Sequence, residues 1–258
     1  MTQTSGWKVL NAGQGGDLVL AVDFATTGRS DSGFSDLVPQ LDQGLTVWET
    51  RQPNTAGSAE DYLGLWLGEV EASGRPVKAV LGYCAGSVFA GELARRIGAK
   101  QAQAPRLVLF EPEVPAPDSL YRDFADMMNQ FASVLSDEEV SAAQQKAVAA
   151  QKEAADFDAY GAALVDIFME QAGVAFAREE LDTEMLDEFA AVFRIYVSYL
   201  SGARELGADA WSAGTAVVSS TPCPGAATAA ERIEVPVDHA DLLRNAKVAQ
   251  IVTELVNA

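Results

Sequence analysis

A cysteine between two glycines is the feature of this sequence that most directly suggests chemistry. Residues 80–87 read VLGYCAGS, so an apolar run leads into Gly82-x-Cys84-x-Gly86 and a helix-favouring stretch follows. Small residues on either side of a nucleophile allow a tight, strained turn between a strand and a helix, which we call the elbow. The thiol would then lie at a helix N-terminus, where the helix dipole favours the thiolate. We therefore predict that Cys84 is a nucleophile and that the N–H of Ala85 points toward an oxyanion. The alternative is a chance pattern around a cysteine packed as a small apolar residue.

A single histidine is available as the base for such a nucleophile. His239 follows the apolar run RIEVPV and precedes ADLL, so it begins a loop where a strand is expected to end. A thiol and one imidazole are the minimal apparatus for acyl transfer. Because the chain has no other histidine, base catalysis by an imidazole depends on His239 alone.

Several carboxylates compete for the role of the acid that orients the imidazole. Glu111 directly follows the predicted strand RLVLF, and we expect it to be this acid. Glu113, two residues further on, stays open as an alternative. Asp238 is adjacent to His239 in the chain and is therefore less able to reach its ring.

The loop after the apolar run LVLAVDF, residues 18–24, is expected to complete the site. An oxyanion is stabilised by preorganised N–H donors that converge on one oxygen. We expect the second donor, after Ala85, to be the backbone N–H of Thr26 or Thr27 at the end of this strand.

Short apolar runs alternate with helical patterns over most of the chain. Such alternation predicts right-handed βαβ units and a mostly parallel sheet with helices on both faces, so the expected fold class is α/β. The strands are expected at residues 18–24, 45–48, 76–81, 106–110, 215–219 and 232–237. Between and after them, helices are expected at 34–41, at 58–73, at 85–97 and from about residue 241.

The pattern changes to an almost entirely helical one between residues 117 and 206. A capping box, Ser136-Asp-Glu-Glu139, opens a helix there, and further helices are expected at about 157–171 and 182–205. A helical block inserted into an α/β sheet is most simply a cap or lid. The expected organisation is an α/β core of residues 1–116 and 207–258 and a helical lid of residues 117–206.

Composition excludes several other classes of protein. The 258 residues include 18 Lys+Arg and 37 Asp+Glu, a net charge of −19, which opposes binding to nucleic acid. One His and two Cys cannot form a His-based or four-thiolate zinc site, nor a disulfide scaffold. The sequence has no G-x-G-x-x-G after a strand and no Walker loop, so we expect neither a metal nor a cofactor. With no apolar run near the ~20 residues of a membrane span and no signal-peptide pattern, a cytoplasmic protein without membrane contact is expected.

The segments GYCAGS, RLVLFEP and VDHADLL, with the long helical insertion between the last two, resemble the thioesterase family of polyketide and nonribosomal-peptide assembly lines. The resemblance covers roughly residues 18–256. It includes FATTGRSDSGFSDLVPQL, which looks like the family's oxyanion-loop segment, and LDTEMLDEFAAVFRIYVSYL, which looks like the last lid helix of stand-alone members. It implies an α/β-hydrolase fold. The chain departs from the family's pattern at Cys84, where serine is usual, and at Glu111, where aspartate is usual.

The cysteine resembles that of a subgroup whose members transfer the acyl group to an internal nucleophile. The resemblance therefore implies a stand-alone Dieckmann cyclase, which forms a tetramate or pyridone ring from a chain borne by an acyl or peptidyl carrier protein. The alternatives are a type II thioesterase that hydrolyses carrier-bound acyl chains, an enzyme similar to dienelactone hydrolase, and a catalytically inactive binding module. The enzyme similar to dienelactone hydrolase is less favoured. Its acid would follow a later strand, and the segment that contains the next predicted strand, TAVVSSTPCPG, has no carboxylate.

Carrier proteins are generally acidic, and this chain is acidic too, so the two would repel each other at long range. Docking would therefore need a local basic spot on this chain. The candidate residues are Arg95, Arg96 and Lys100 near the predicted elbow helix, with Arg122 and Arg204 flanking the helical insertion. Ordinary solvated charges are the favoured interpretation of these five residues. The second cysteine, Cys223, is interpreted as structural.

Overall fold

The structure is a computed structural model that describes residues 6–24, 31–51, 54–129, 131, 133–180 and 183–258, with only the backbone at 183–185. Within this part of the chain, seven strands form one sheet in the order β1-β3-β2-β4-β5-β6-β7. β1 is antiparallel to β3, and every other neighbouring pair is parallel. The strands are β1 (Trp7–Ala12), β2 (Leu18–Val22), β3 (Thr46–Thr50), β4 (Val77–Tyr83), β5 (Arg106–Phe110), β6 (Thr215–Val218) and β7 (Glu231–Glu234).

The central strands are apolar because both faces of the sheet are covered. All five residues of β2 are buried, as are the last five of β4 and the last four of β5. Parallel strands covered on both faces have continuous apolar sequences, which is why these runs stand out. β1 was not predicted: it is an edge strand in which only Trp7 is fully buried, and Val9 at its centre is half exposed.

Within the described residues, four α-helices lie outside the insertion between β5 and β6, and two of them differ from expectation. The short helix expected at 34–41 is α1 (Phe34–Leu37) followed by a 3₁₀ turn at Val38–Gln40, where Pro39 removes a backbone donor. The last helix, α8 (Ala246–Asn257), begins five residues later than expected because a 3₁₀ helix occupies His239–Arg244. The other two are α2 (Ala59–Ser73) and α3 (Gly86–Gly98).

The chain divides into two compact units. One comprises Met1–Pro53, Ala59–Val114 and Ala203–Ala258 and contains the sheet. The other, which we call the helical unit, comprises Asn54–Ser58 and Pro115–Gly202. The helices that run through the latter are α4 (Pro117–Asn129), α5 (Asp137–Glu153), α6 (Phe157–Arg178) and α7 (Thr183–Leu206), which ends in the first unit.

The capping box predicted before α5 forms in the structure. The Ser136 hydroxyl accepts the Glu139 N–H at 3.3 Å, and the Glu139 carboxylate accepts the Ser136 N–H at 2.9 Å. Glu139 also pairs with Arg178 at the end of α6, which lowers the pKa of Glu139 to about 2. This cap fixes the start of α5 and links it to the neighbouring helix.

None of the helices that the structure describes is long and apolar enough to span a membrane.

Candidate active site

Cys84 occupies a strained turn between β4 and α3. Its φ is +49°, a left-handed conformation that residues other than glycine rarely adopt. The Cys84 N–H donates to the Phe110 carbonyl at 2.9 Å, and its own carbonyl accepts the Ser87 N–H at 3.1 Å. The turn is therefore fixed to the end of β5 on one side and to the first turn of α3 on the other. Strained conformations of this kind concentrate at functional sites.

The two glycines of the motif are required by close backbone approaches. A methyl group at Gly82 would lie 2.6 Å from the Cα atom of Ser87, and one at Gly86 would overlap the carbonyl oxygen of Val22 on β2. Neither obstacle is the flexible end of a side chain, so neither can yield cheaply. The sequence pattern around Cys84 thus has a steric cause.

Ala85 lies directly before the first residue of α3. It is buried, and its N–H makes no hydrogen bond within the part of the chain that the structure describes. Free N–H groups at a helix N-terminus stabilise negative charge. Thr26 and Thr27, the expected second oxyanion donors, lie outside the described residues.

Glu111 and His239 are in direct contact: the imidazole Nδ1 atom and carboxylate Oε2 atom are hydrogen-bond partners. The other carboxylate oxygen, Oε1, accepts the backbone N–H of Ser219 at 3.0 Å. Glu111 is 6% exposed and has a left-handed backbone, φ +45°, directly after β5. Burial alone would raise the pKa of Glu111, but the hydrogen bonds from His239 and Ser219 outweigh it and hold the pKa below its usual value.

The opposite ring nitrogen of His239, Nε2, faces two groups that the sequence did not single out. The Tyr83 hydroxyl lies 3.2 Å from Nε2, and the Asp31 Oδ2 atom lies 3.5 Å from it. The position of Tyr83 beside Cys84 is a signal that sequence reasoning could have used. Nothing in the sequence pointed to Asp31.

Ser32 connects the segment after β2 to the segment that carries His239. Its N–H donates to the Ala240 carbonyl at 2.8 Å, and its hydroxyl accepts the Leu243 N–H at 2.9 Å. Ser32 is fully buried, so both bonds are shielded from water. They hold the 3₁₀ helix that begins at His239.

Glu113 contacts Cys84 rather than His239. Its Oε2 atom lies 3.5 Å from the Cys84 Sγ atom, within the range of a hydrogen bond from the thiol. Its N–H also donates to the Cys84 carbonyl at 3.3 Å. The two rival acids, Glu111 and Glu113, therefore have different partners.

The candidate docking cations on α3 and at its end are paired with carboxylates. Arg95 and Arg96 both bind Glu92, at 2.6 Å and 2.5 Å, and Arg96 also binds Glu60. Lys100 binds Glu71 at 2.5 Å, and in the helical unit Arg122 lies 3.4 Å from Asp123. These pairs favour the interpretation as ordinary surface charges.

Cys223 lies in a loop where burial raises the pKa of its thiol, and its Sγ atom is 3.6 Å from the Pro112 carbonyl.

No family model matches the chain, and no curated protein matches it. Among solved structures, the chain is similar to the Vlm2 thioesterase domain bound with a dodecadepsipeptide, at 16% identity over 98% of both chains with a TM-score of 0.56. It is also similar to the enol-lactonase from Burkholderia xenovorans LB400, at 15% identity over 98% of this chain and 96% of that one, TM-score 0.53. An acetylester hydrolase from Corynebacterium glutamicum gives 12% identity over 98% and 89%, TM-score 0.50.

At these identities the comparisons establish the fold and not the reaction. The chain has an α/β-hydrolase fold, with a mostly parallel sheet and helices inserted between β5 and β6. The expected fold class is thereby confirmed. Within the described residues there is no group of three or more His, Cys, Asp or Glu side chains suited to a metal ion.

Proposed function

We propose that this chain is an enzyme that transfers an acyl group from a carrier-protein thioester through a covalent intermediate on Cys84. The observation that carries the proposal is the contact between His239 Nδ1 and Glu111, at the end of the sheet where Cys84 follows β4 in a left-handed turn. A nucleophile in such a turn, an imidazole and a buried carboxylate form a triad in the order typical of α/β-hydrolases. In this proposal Glu111 is the triad acid.

The first half-reaction exchanges one thioester for another. Nε2 of His239 accepts the Cys84 proton, the sulfur attacks the thioester carbonyl, and the negative charge on oxygen is stabilised by the Ala85 N–H. The carrier thiol then leaves with the proton from the imidazolium. Because a thioester replaces a thioester, the step is nearly isoenergetic. The second oxyanion donor at Thr26 or Thr27 stays a prediction.

The second half-reaction that we propose is a Dieckmann cyclisation. In a β-ketoacyl-aminoacyl chain, the carbon between two carbonyl groups is acidic enough for His239 to remove a proton from it. The resulting carbanion attacks the acyl carbonyl, a C–C bond forms, the C–S bond to Cys84 breaks, and the thiolate recovers the proton. No water is consumed, and the product is a tetramate or pyridone-type ring. A thioester accepts a carbanion more readily than an oxygen ester does, which favours cysteine over serine here.

Hydrolysis is the second candidate reaction. The fold likeness to an enol-lactonase and an acetylester hydrolase favours it, because water takes the place of the carbanion in such enzymes. A type II thioesterase would act in this way on carrier-bound chains. The triad and the first half-reaction would be the same, so only the released product distinguishes the two candidates.

The helical unit is proposed to act as the lid, and an acyl or peptidyl carrier protein is the proposed partner. The support for both is the resemblance in the segments GYCAGS, RLVLFEP and VDHADLL, together with the helices of residues 115–202. A lid would exclude the water that competes with the carbanion.

The test is to give the purified full chain a β-ketoacyl-aminoacyl thioester on a carrier protein and to identify the product by mass. A ring lacking the carrier thiol is expected, whereas release of only the linear acid, heavier by one water, would refute the cyclase and support hydrolysis. Cys84→Ala is expected to abolish turnover and the acyl-enzyme mass. The matched control, Cys223→Ala, is expected to retain both. Full turnover by Cys84→Ala would refute the covalent mechanism.

A further inference from the structure

Tyr83 is the residue before the proposed nucleophile, and its side chain reaches the proposed base. Its hydroxyl lies 3.2 Å from Nε2 of His239, and the two ring centroids are 6.0 Å apart. Only 3% of Tyr83 is exposed, because its ring packs in the core cluster that includes Phe110, Val217 and Leu242. The hydroxyl is therefore held at the site by a ring with little freedom to move.

The partners of His239 define the direction of this hydrogen bond. Nδ1 faces the Glu111 carboxylate, whose pKa is held low, and a carboxylate can only accept. Nδ1 therefore carries the ring proton, and the neutral imidazole has its lone pair at Nε2. The Asp31 carboxylate also faces Nε2, but at 3.5 Å it is farther away than the Tyr83 hydroxyl at 3.2 Å and beyond the usual length of an N–H···O bond. A hydroxyl facing that lone pair donates to it, so Tyr83 is the donor.

The same lone pair is the one that must take the thiol proton in the proposed first half-reaction. In the structure the Cys84 thiol faces the Glu113 carboxylate at 3.5 Å. We propose that Tyr83 is a positioning residue that occupies Nε2 of His239 in the free enzyme and competes there with the Cys84 proton. This inference rests on the roles proposed above for Cys84 and His239.

Activation then requires the exchange of one hydrogen bond for another. The Tyr83 O–H···Nε2 bond breaks, the Cys84 proton moves to Nε2, and a thiolate and an imidazolium result, with no net gain or loss of protons. The His239 side chain is 41% exposed and the Tyr83 ring is buried, so the imidazole is the partner that moves. The cysteine is kept as a less reactive thiol until a substrate displaces the imidazole from Tyr83.

The first test uses the reactivity of Cys84 in the full chain without substrate. Cys223→Ala is the background, so that iodoacetamide reports one thiol, and Tyr83→Phe removes the hydroxyl while it retains the ring. The variant lacks the hydrogen bond from Tyr83 to Nε2 of His239, so Nε2 is free to take the Cys84 proton. Because a hydrogen bond of ordinary strength is lost, alkylation at neutral pH is expected to be about three- to tenfold faster. Tyr160→Phe, which removes another buried tyrosine hydroxyl, is the matched control and is expected to change nothing.

The acceleration must depend on the imidazole. In a His239→Ala background, Tyr83→Phe is expected to have no effect on alkylation. An unchanged or slower rate in Tyr83→Phe, or an acceleration that persists without His239, would overturn the inference. A residue that only fills the core would give one of these two results.

A second measurement needs no variant at all. Because His239 is the only histidine, ¹⁵N labelling of histidine gives the spectrum of this one imidazole. The neutral form is expected to be the Nδ1–H tautomer with a hydrogen-bonded Nε2, and an Nε2–H tautomer would refute the inference. Neither measurement uses a thioester, so a failure of the proposed acyl transfer would be seen in the turnover assay and not in these two.

Discussion

The imidazole Nδ1 atom of His239 is a hydrogen-bond partner of the Glu111 carboxylate, although the two residues lie 128 positions apart in the chain. The order of the parallel strands explains this proximity. β4, β5, β6 and β7 are successive neighbours in the sheet, and parallel strands end at the same edge. Cys84, Glu111, Ser219 and His239 follow these strands in turn. The helices α4 to α7 lie between β5 and β6 in sequence and leave this order of strands intact.

Substitution of the two rival acids separates their roles. Glu111→Gln retains the shape of the side chain but not its charge, so the imidazole tautomer is no longer fixed. We expect kcat/KM for thioester turnover to fall by about 10³–10⁴-fold, as when a triad acid is neutralised. Glu113→Gln, the matched control, is expected to lower it by less than about tenfold. The reverse ranking would make Glu113 the triad acid.

The low pKa of Glu111 also predicts a pH dependence of stability. A carboxyl whose pKa is lower in the folded state stabilises the fold above its unfolded pKa, about 4.3, and this contribution is lost as the pH falls through the folded pKa. Urea unfolding of the wild type and of Glu111→Gln should therefore show a stability difference at about pH 7 that shrinks at about pH 3.5. A difference that grows on acidification would contradict the hydrogen-bonded, ionised state of Glu111.

The predictable parts of the fold are those with continuous apolar sequence. β2, β4 and β5 were predicted at nearly their observed positions because a strand buried on both faces needs an apolar residue at every position. The elbow was predicted for a related reason, since Gly82 and Gly86 meet backbone that cannot move. The edge strand β1 lacks this signal because only part of it is buried.

The less predictable features depend on tertiary contacts. The fold brings three further groups to the His239–Glu111 pair: the Tyr83 hydroxyl, the Asp31 carboxylate and the Ser219 N–H. The spacing of these residues in the sequence does not indicate that they are close together. Glu111 and Glu113 could not be ranked from sequence because they are two residues apart. In the structure Glu111 has a left-handed backbone and contacts His239, whereas Glu113 contacts Cys84.

The close approach at Gly86 predicts a structural and functional defect in Gly86→Ala. The added methyl group overlaps the Val22 carbonyl, so the elbow must move away from β2. We expect a loss of about 1–3 kcal/mol in the free energy of unfolding, as for other overpacked sites, and a loss of thioester turnover. Gly64→Ala on the exposed face of α2, where the methyl meets nothing, is the control and should stabilise by about 0.5–1 kcal/mol. Equal unfolding midpoints for the two variants would disprove the steric argument.

The ion pairs of Arg95 and Lys100 predict that these residues contribute little to carrier docking. Each is well exposed and bound to a neighbouring carboxylate, Glu92 or Glu71, which cancels its charge locally. An Arg95→Gln, Lys100→Gln double variant should therefore change kcat/KM for a carrier-bound substrate by less than about twofold. The same variant assayed with a small-molecule thioester is the control. A tenfold loss of kcat/KM confined to the carrier-bound substrate would contradict this prediction and would mean that Arg95 and Lys100 take part in docking.

The net charge of −19 predicts the sign of the salt dependence of that reaction. Carrier proteins are generally acidic, and like charges slow the encounter of two proteins at low ionic strength. Added salt shortens the Debye length from ~30 Å at 0.01 M to ~8 Å at 0.15 M, so it screens the repulsion. We expect kcat/KM for a carrier-bound substrate to rise over this range, while kcat/KM for an uncharged small thioester stays constant. A fall with salt for the carrier-bound substrate alone would mean that opposite charges meet at the interface, and a basic surface would then have to be sought away from α3.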